Sequence, residues 1–310
     1  MGNVIYLRKE RRCNLEEPFP FGPLNMWSWK DISRASRGGK AKKYFNIGDT
    51  KDILIGNKQY QVRIIGFDHD IVHSRDSYGR TEAGITFEMI SVLDAKITLN
   101  TSFDLVQYYG HIYMPSLSDA QSTMSSYINS MTDLNGNSIS DYMVSVIKPV
   151  YGARTLPSFN DLWGNEDNIY KIYNEHDFNQ ANKNLGFILS ATEYGYNESL
   201  KYRTTDGYYT YKYGKGLIPD IPDATTDRIY SYYSGKMADD RKKTLNGEQV
   251  SYLTRTYSGL HIGSSEGTMI DGSPITTYSY NDDLISINRN GVFTNASGSV
   301  PVYFSLGFCV

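Results

Sequence analysis

The feature that most constrains this chain is a pair of short apolar runs meeting at Gly56-Asn57. Ile53, Leu54 and Ile55 precede the glycine; Tyr60, Val62 and Ile64 follow it, alternating with Gln61 and Arg63. Glycine takes positive φ without a Cβ clash, so a tight reversal here is easily made. Period-two alternation with β-branched residues predicts a half-buried strand. Another is predicted at Ile85, Phe87 and Met89, alternating with Thr86 and Glu88. The strands are expected to share one apolar face, covered by Trp27 and Trp29, with Trp29, Ile64 and Phe87 buried together. Between them, Asp68 to Arg80 is polar and reads as an exposed loop.

Several motifs in this block occur together: Trp29-Lys30-Asp31-Ile32, Gly38-Gly39-Lys40, Tyr44-Phe45 leading to Gly48-Asp49-Thr50-Lys51, Val62 to Asp70 (VRIIGFDHD) and Gly84-Ile85-Thr86-Phe87. As a set they resemble a domain family of unknown function found in phages and prophages of Gram-positive gut bacteria. The resemblance extends over residues 27–310, faintly in the middle. It implies a phage or prophage setting.

Residues 1–26 are unlike the rest. Val4, Ile5, Tyr6 and Leu7 could add a strand to a neighbour, Arg8 to Arg12 is charged, and Pro18, Pro20 and Pro23 favour an extended path. They are read as a docking arm, with Ile5, Tyr6, Arg8, Arg11 and Arg12 as assembly residues; a partly ordered terminus is the alternative. Residues 1–43 carry a net +6 within a chain of net −3. The whole chain has no nucleic-acid footprint. No apolar run reaches the ~20 residues of a membrane span, and no secretory h-region is seen in the first 26 residues. Cys13 and Cys309 are no disulfide framework; two reduced thiols are expected, a bridge between the ends remaining open.

Two helices are predicted. Ser116 or Ser118 can cap the first, with Ala120, Met124, Tyr127, Ile128 and Met131 at helical spacing. Asn135-Gly136-Asn137 stops it. Ile139, Tyr142, Met143 and Val146 mark the second, which ends at Pro149. Residues 151–243 then form a Tyr-, Asn- and Gly-rich insertion, with a short strand at Leu185 to Leu189 and a hairpin about Asp206-Gly207. The 27 tyrosines suit wet interfaces as well as strands.

The last sixty residues return to strands. Tyr252-Leu253-Thr254-Arg255 opens them, Asn290-Gly291 is a hairpin turn after Ile285 and Ile287, and Val300, Val302 and Phe304 alternate. Gly307-Phe308-Cys309-Val310 is an apolar, buried end. This ending resembles the final strands of C-type-lectin-like domains, including formylglycine-generating enzymes and phage tropism proteins diversified by retroelements. Cys309 stands where an Arg or another residue is typical of that family. In the lectin-like phage proteins the variable face lies in the final strands and their connecting loop. The resemblance maps that face to Tyr257 through Asp283, a pliable connection containing Gly259, Gly263, Gly267 and Gly272, with Tyr257, Tyr278, Tyr280, Asn281, Asp282 and Asp283 as ligand-binding residues.

Chemistry is less legible. His69 and His73 are four apart among Asp68, Asp70 and Asp76, but Gly66 and a loop argue against a helical zinc pair. Loop-shaping hydrogen bonds are expected instead. Asn165 to Asn168, and Asn281 to Asp283, offer oxygen ligands for calcium, yet solvated turns are the preferred account. GxSxG, HExxH and Walker motifs are missing, so no catalytic residue, metal or cofactor is assigned.

The sequence therefore predicts an α+β, mainly antiparallel β fold: one C-type-lectin-like domain over 27–310, with two flanking helices and long loops, behind an arm at 1–26. The expected function is non-enzymatic. It is that of a bacteriophage virion structural protein, surface-exposed at a tail tip, fibre or head decoration and contributing to host attachment. Expected partners are other virion proteins, further copies of the chain and a host surface glycan or protein, with no nucleic acid. Its expected location is the virion, and the host cytoplasm during assembly. The alternatives are a formylglycine-generating-type or glycan-processing enzyme, and a prophage-derived adhesin.

Overall fold

The computed structural model describes residues 18–72, 79–97, 118–146, 185–196, 229–268, 274–297 and 300–310. The expected hairpin at Asp206-Gly207, His73, Cys13 and residues 4–12 lie outside them.

Ser28 starts the first helix. Its hydroxyl accepts from the Asp31 N–H, filling one orphan donor of the first turn. Helix α1 (Trp29–Arg37) follows, with Asp31 in its first turn and Arg34 and Arg37 in its last, both signs matched to the helix dipole. Alternation had placed Trp29 only as a strand cover; the cap makes it the first residue of a helix. A single turn, α2 (Ala41–Tyr44), leads into the strands.

Strands β1 (Thr50–Ile55) and β2 (Lys58–Gly66) form the expected hairpin, with Gly56 at φ 58°. β3 (Thr86–Met89) pairs antiparallel with β2, and β4 (Lys96–Ile97) is short. Helix α3 (Ser118–Asn129) is the first predicted helix, burying Met124 and Ile128. Met131, expected within it, instead opens β5 (Met131–Thr132) beside β1.

The second predicted helix does not form. Residues Ser140–Tyr142 make one 3-10 turn, after which Val144 and Val146 bridge Cys309 and Val72. Ile139, Met143 and Val146 are buried as a helix stripe would be. Their backbone, however, finds partners across the chain: the Val144 N–H donates to the Cys309 carbonyl at 2.9 Å.

The remaining strands are β6 (Gly186–Phe187), β7 (Lys243–Leu245), β8 (Glu248–Val250), β9 (Tyr252–Thr268), β10 (Pro274–Ile287), β11 (Phe293–Ser297), β12 (Val302–Tyr303) and β13 (Gly307–Cys309). The principal sheet runs β5-β1-β2-β3-β13-β6 and the second β11-β10-β9-β12-β4, with β7 and β8 a separate pair. Among the described residues, pairings are antiparallel apart from one β12–β9 bridge. The fold is thus α+β and β-rich, as expected.

The principal sheet is covered on both faces. On one, α1 packs Trp29 against Phe87 and Phe308, at ring distances of 5.2 and 5.9 Å, among Ile53, Val62, Ile64 and Met89. On the other lie Tyr194, Tyr230, Tyr233 and Tyr252 with Ile65, Phe187 and Ile287. Strands buried on both faces lose their solvent side, so Arg63, Thr86 and Glu88 are interior residues rather than the exposed half of an alternation. Part of the segment 1–26 belongs to this body: Phe19 stacks on Trp27 and Leu24 is buried.

Candidate binding ribbon and the charged network at its root

The residues expected to bind a ligand do not lie in a pliable loop. Tyr257 through Thr268 and Pro274 through Asp283 are the outer parts of β9 and β10, strands of 17 and 14 residues. Gly259, Gly263 and Gly267 are spaced along β9, where backbone pairing holds them, and Gly272 lies outside the described residues. Ten consecutive residue pairs, from Gly259↔Asp283 to Thr268↔Pro274, form a ribbon about 30 Å long. β11 accompanies β10 only from Asp283 to Ile287, and β12 meets β9 only at Tyr252. Among the described residues, the ribbon beyond Asp283 is two strands wide.

Register sorts the expected site residues. Directly opposed residues share a face, so Tyr278 (opposite Ser264), Tyr280 (opposite Ile262) and Asp282 (opposite Leu260) fall on one. Asn281 (opposite His261) and Asp283 (opposite Gly259) fall on the other. Tyr257 pairs with Leu284 at a register irregularity nearer the body. The ribbon therefore brings the six residues into one element but divides them between its faces.

The root of the ribbon is locked by groups that sequence reasoning missed. Arg255 on β9 is buried and paired with Glu193 at 3.0 Å. Glu193 is itself held locally: its carboxylate accepts from the Ser190 N–H at 2.8 Å, while its own N–H donates to the Ser190 hydroxyl at 3.1 Å. The Thr254 hydroxyl donates to the Ile285 carbonyl, clasping β9 to β10. The Tyr252 hydroxyl donates to the Arg241 carbonyl at 2.6 Å.

Beneath the root sits a larger cluster centred on Glu88. One carboxylate oxygen takes Lys243 and the Tyr194 hydroxyl, both at 2.6 Å. The other takes Arg63 at 3.2 Å and the Tyr233 hydroxyl. Arg63 also donates to the Tyr232 hydroxyl at 3.0 Å and lies over that ring. Burial alone would push the Glu88 carboxyl up, but Lys243 and Arg63 outweigh it and hold it below its ordinary value. Burial dominates at Lys243, lowering its ammonium to about 8 against the opposing pull of Glu88.

A second cluster surrounds Asp70, which accepts from the Tyr230 hydroxyl at 2.9 Å, from the Thr86 hydroxyl and from the Cys309 thiol at 3.3 Å. His69 lies 3.3 Å from Asp70 and stacks on Tyr230. These bonds fit the loop-shaping role expected of His69. The Cys309 thiol is buried. Among the described residues no group of three or more His, Cys, Asp or Glu is arranged to hold a metal ion. Nor is any helix among them long and apolar enough to cross a membrane. The one sequence signal for these clusters was the tyrosine excess; four of those tyrosines are fully buried donors or ring walls around Glu88 and Asp70.

No family model, curated protein or solved structure matches the chain.

Proposed function

We propose that this protein is a structural component of a bacteriophage particle that displays the β9–β10 ribbon at the particle surface, where it contributes to host attachment. The observation that carries this reading is the contrast within one hairpin. Its root is pinned by a buried ion pair, Arg255–Glu193, and its nine residue pairs beyond Asp283 have no third strand beside them among the described residues. A two-stranded ribbon is marginal on its own, so a chain that extends one from an anchored root has a use for its surface. Tyrosine at Tyr278 and Tyr280 supplies flat amphipathic rings suited to a glycan or protein partner. A C-type-lectin-like assignment of the fold and a non-enzymatic role belong to the same reading. In support of the latter, Glu88 and Lys243, at the centre of the charged cluster, are fully buried.

Mass spectrometry of purified particles tests the setting, and adsorption tests the site. Tyr278→Ala with Tyr280→Ala should leave the unfolding free energy within about 1 kcal/mol while reducing adsorption to host cells. Absence of the chain from particles, or unchanged adsorption by normally assembled particles, overturns the reading.

A further inference from the structure

Two consecutive side chains reach different parts of the interior. The Glu193 carboxylate pairs with Arg255, at the root of the ribbon, at 3.0 Å. The Tyr194 hydroxyl donates to Glu88, on the principal sheet, at 2.6 Å. All four residues are buried.

The turn that carries Glu193 and Tyr194 has little freedom. Within it, the Tyr194 N–H donates to the Ser190 carbonyl at 3.2 Å, the Gly195 N–H to the Thr192 carbonyl at 2.8 Å and the Tyr196 N–H to the Ala191 carbonyl at 2.9 Å. The Ser190 N–H donates to the Glu193 carboxylate and closes the same turn. Two further bonds fasten it to its surroundings. The Arg255 N–H donates to the Leu189 carbonyl at 3.1 Å, and the Tyr230 N–H to the Glu193 carbonyl at 3.2 Å. A turn bonded in this way moves as one body, so Glu193 and Tyr194 do not leave their partners independently.

The ribbon meets the Glu88 cluster at a second point. Tyr252, also on β9, packs edge-on against Tyr194 at a ring distance of 5.7 Å, and the Lys243 ammonium lies over its ring at 5.5 Å. β9 is therefore gripped through Arg255 by Glu193 and through Tyr252 by the ring of the next residue in the chain.

We propose that Glu193 and Tyr194 form a latch that couples the β9–β10 ribbon to the Glu88 network, so that loosening either one loosens the other. Buried polar networks are worth more than the sum of their pairs, and packed interiors change between discrete arrangements rather than deforming smoothly. The effect runs both ways by linkage: what is felt at the ribbon is felt at the principal sheet. Glu193 and Tyr194 are positioning residues and take no part in the contact made by the ribbon itself. The proposal rests on the reading of the ribbon as the working surface of the protein.

Amide hydrogen exchange of the purified full chain, read peptide by peptide, tests it. Tyr194→Phe removes the hydroxyl that reaches Glu88 and keeps the ring against Tyr252. Exchange at the ribbon root, in residues 252–257 and 284–287, should quicken by about tenfold, since hydrogen bonds to charged groups are among the stronger ones. Strand β1, separated from β3 by β2, should quicken less. Arg255→Lys keeps the charge but loses the planar fork, and should quicken the same root peptides. The two changes together should quicken the root by less than the product of their separate factors, because the second acts on a latch already opened. Circular dichroism checks that each variant is folded; should Arg255→Lys unfold the chain, Glu193→Gln takes its place in the cycle with the same outcome expected. Factors that multiply at the root, a root unaffected by Tyr194→Phe, or a rise shared equally by β1 and the root would each overturn the proposal. Particle composition and adsorption do not enter this measurement, so failure here is distinct from failure of the virion reading.

Discussion

The Lys243 ammonium lies 2.6 Å from the Glu88 carboxylate, with both side chains fully buried. The two residues are 155 positions apart in the sequence, on β7 and β3. Two buried charges lose much hydration, and their mutual attraction offsets it only if the remaining lone pairs and protons are satisfied. Here Glu88 also receives Arg63, Tyr194 and Tyr233, and Lys243 donates to the Met89 carbonyl, while the Arg63 Nε is buried without a hydrogen bond.

Removing one side of this pair should be costly. Glu88→Gln leaves Arg63 and Lys243 buried without their shared counter-charge, and stability should fall by about 3–5 kcal/mol. Lys243→Met removes one of the stranded cations, so the double variant should lose less than the sum of the singles. Urea midpoints of the four proteins give the coupling; strict additivity would show that the two groups do not act on each other.

The same cluster should shape stability against pH. Lys243 is lowered to about 8 in the native protein from an ordinary 10.5. Between those values the unfolded chain holds a proton that the native one has released, so this group makes stability rise with pH in that window. The phenols of Tyr194, Tyr230, Tyr233 and Tyr252 are pushed well above 10, chiefly by burial. They act oppositely above pH 10, where the unfolded chain ionises first. Glu88, held low, adds a loss as pH falls below about 4.5. From pH 8 to 10, wild type should gain stability relative to Lys243→Met; a relative loss would contradict the sign.

Phe87 stacks on Phe308 at 5.4 Å and meets Trp29 edge-on. Phe87→Ala should cost about 3–5 kcal/mol, because the α1 layer cannot collapse into the gap without moving the sheet. An unchanged denaturation midpoint would remove these rings from the cooperative core.

Gly291 has φ 77°, and a Cβ there would run into the Ala238 carbonyl. Gly291→Ala should therefore destabilise by about 1–3 kcal/mol, through overpacking and the left-handed backbone together. The Arg241 guanidinium, which donates to the Gly291 carbonyl at 3.1 Å, should lose that bond. A stability within 0.5 kcal/mol of wild type, the scale of neutral surface changes, would mean that the turn shifts freely.

Elements with a strong local signal were legible from residues alone. Ile53 to Ile64 about Gly56, Phe87 and Met89 on β3, Met124 and Ile128 on α3, and the turn at Gly291 all follow from periodicity or positive φ. So does the buried chain end at Phe308 to Val310. Helix α1 was legible in principle, through Ser28 three residues before Asp31, but the aromatic pair drew attention to strand cover instead.

Where a period was ambiguous, partners elsewhere decided. Ile139, Met143 and Val146 fit a helix stripe, yet Val144 and Val146 bridge Cys309 and Val72. The glycine-spaced run after Arg255 suggested a pliable loop, and Tyr278 and Tyr280 were placed in it. Pairing of β9 with β10 makes it a ribbon, and register then separates Tyr280 from Asn281.

What the sequence determined by itself was therefore the set of short-range elements, because turn chemistry and side-chain period act over a few residues. What only the tertiary structure decided was the inside of the molecule. Glu88, Arg63, Lys243, Asp70, Glu193 and Arg255 read as surface residues in a linear chain, since an isolated charge prefers water. They are buried because the fold brings them opposite charges and tyrosine hydroxyls from distant segments, and that compensation exists only once both faces of the sheet are covered.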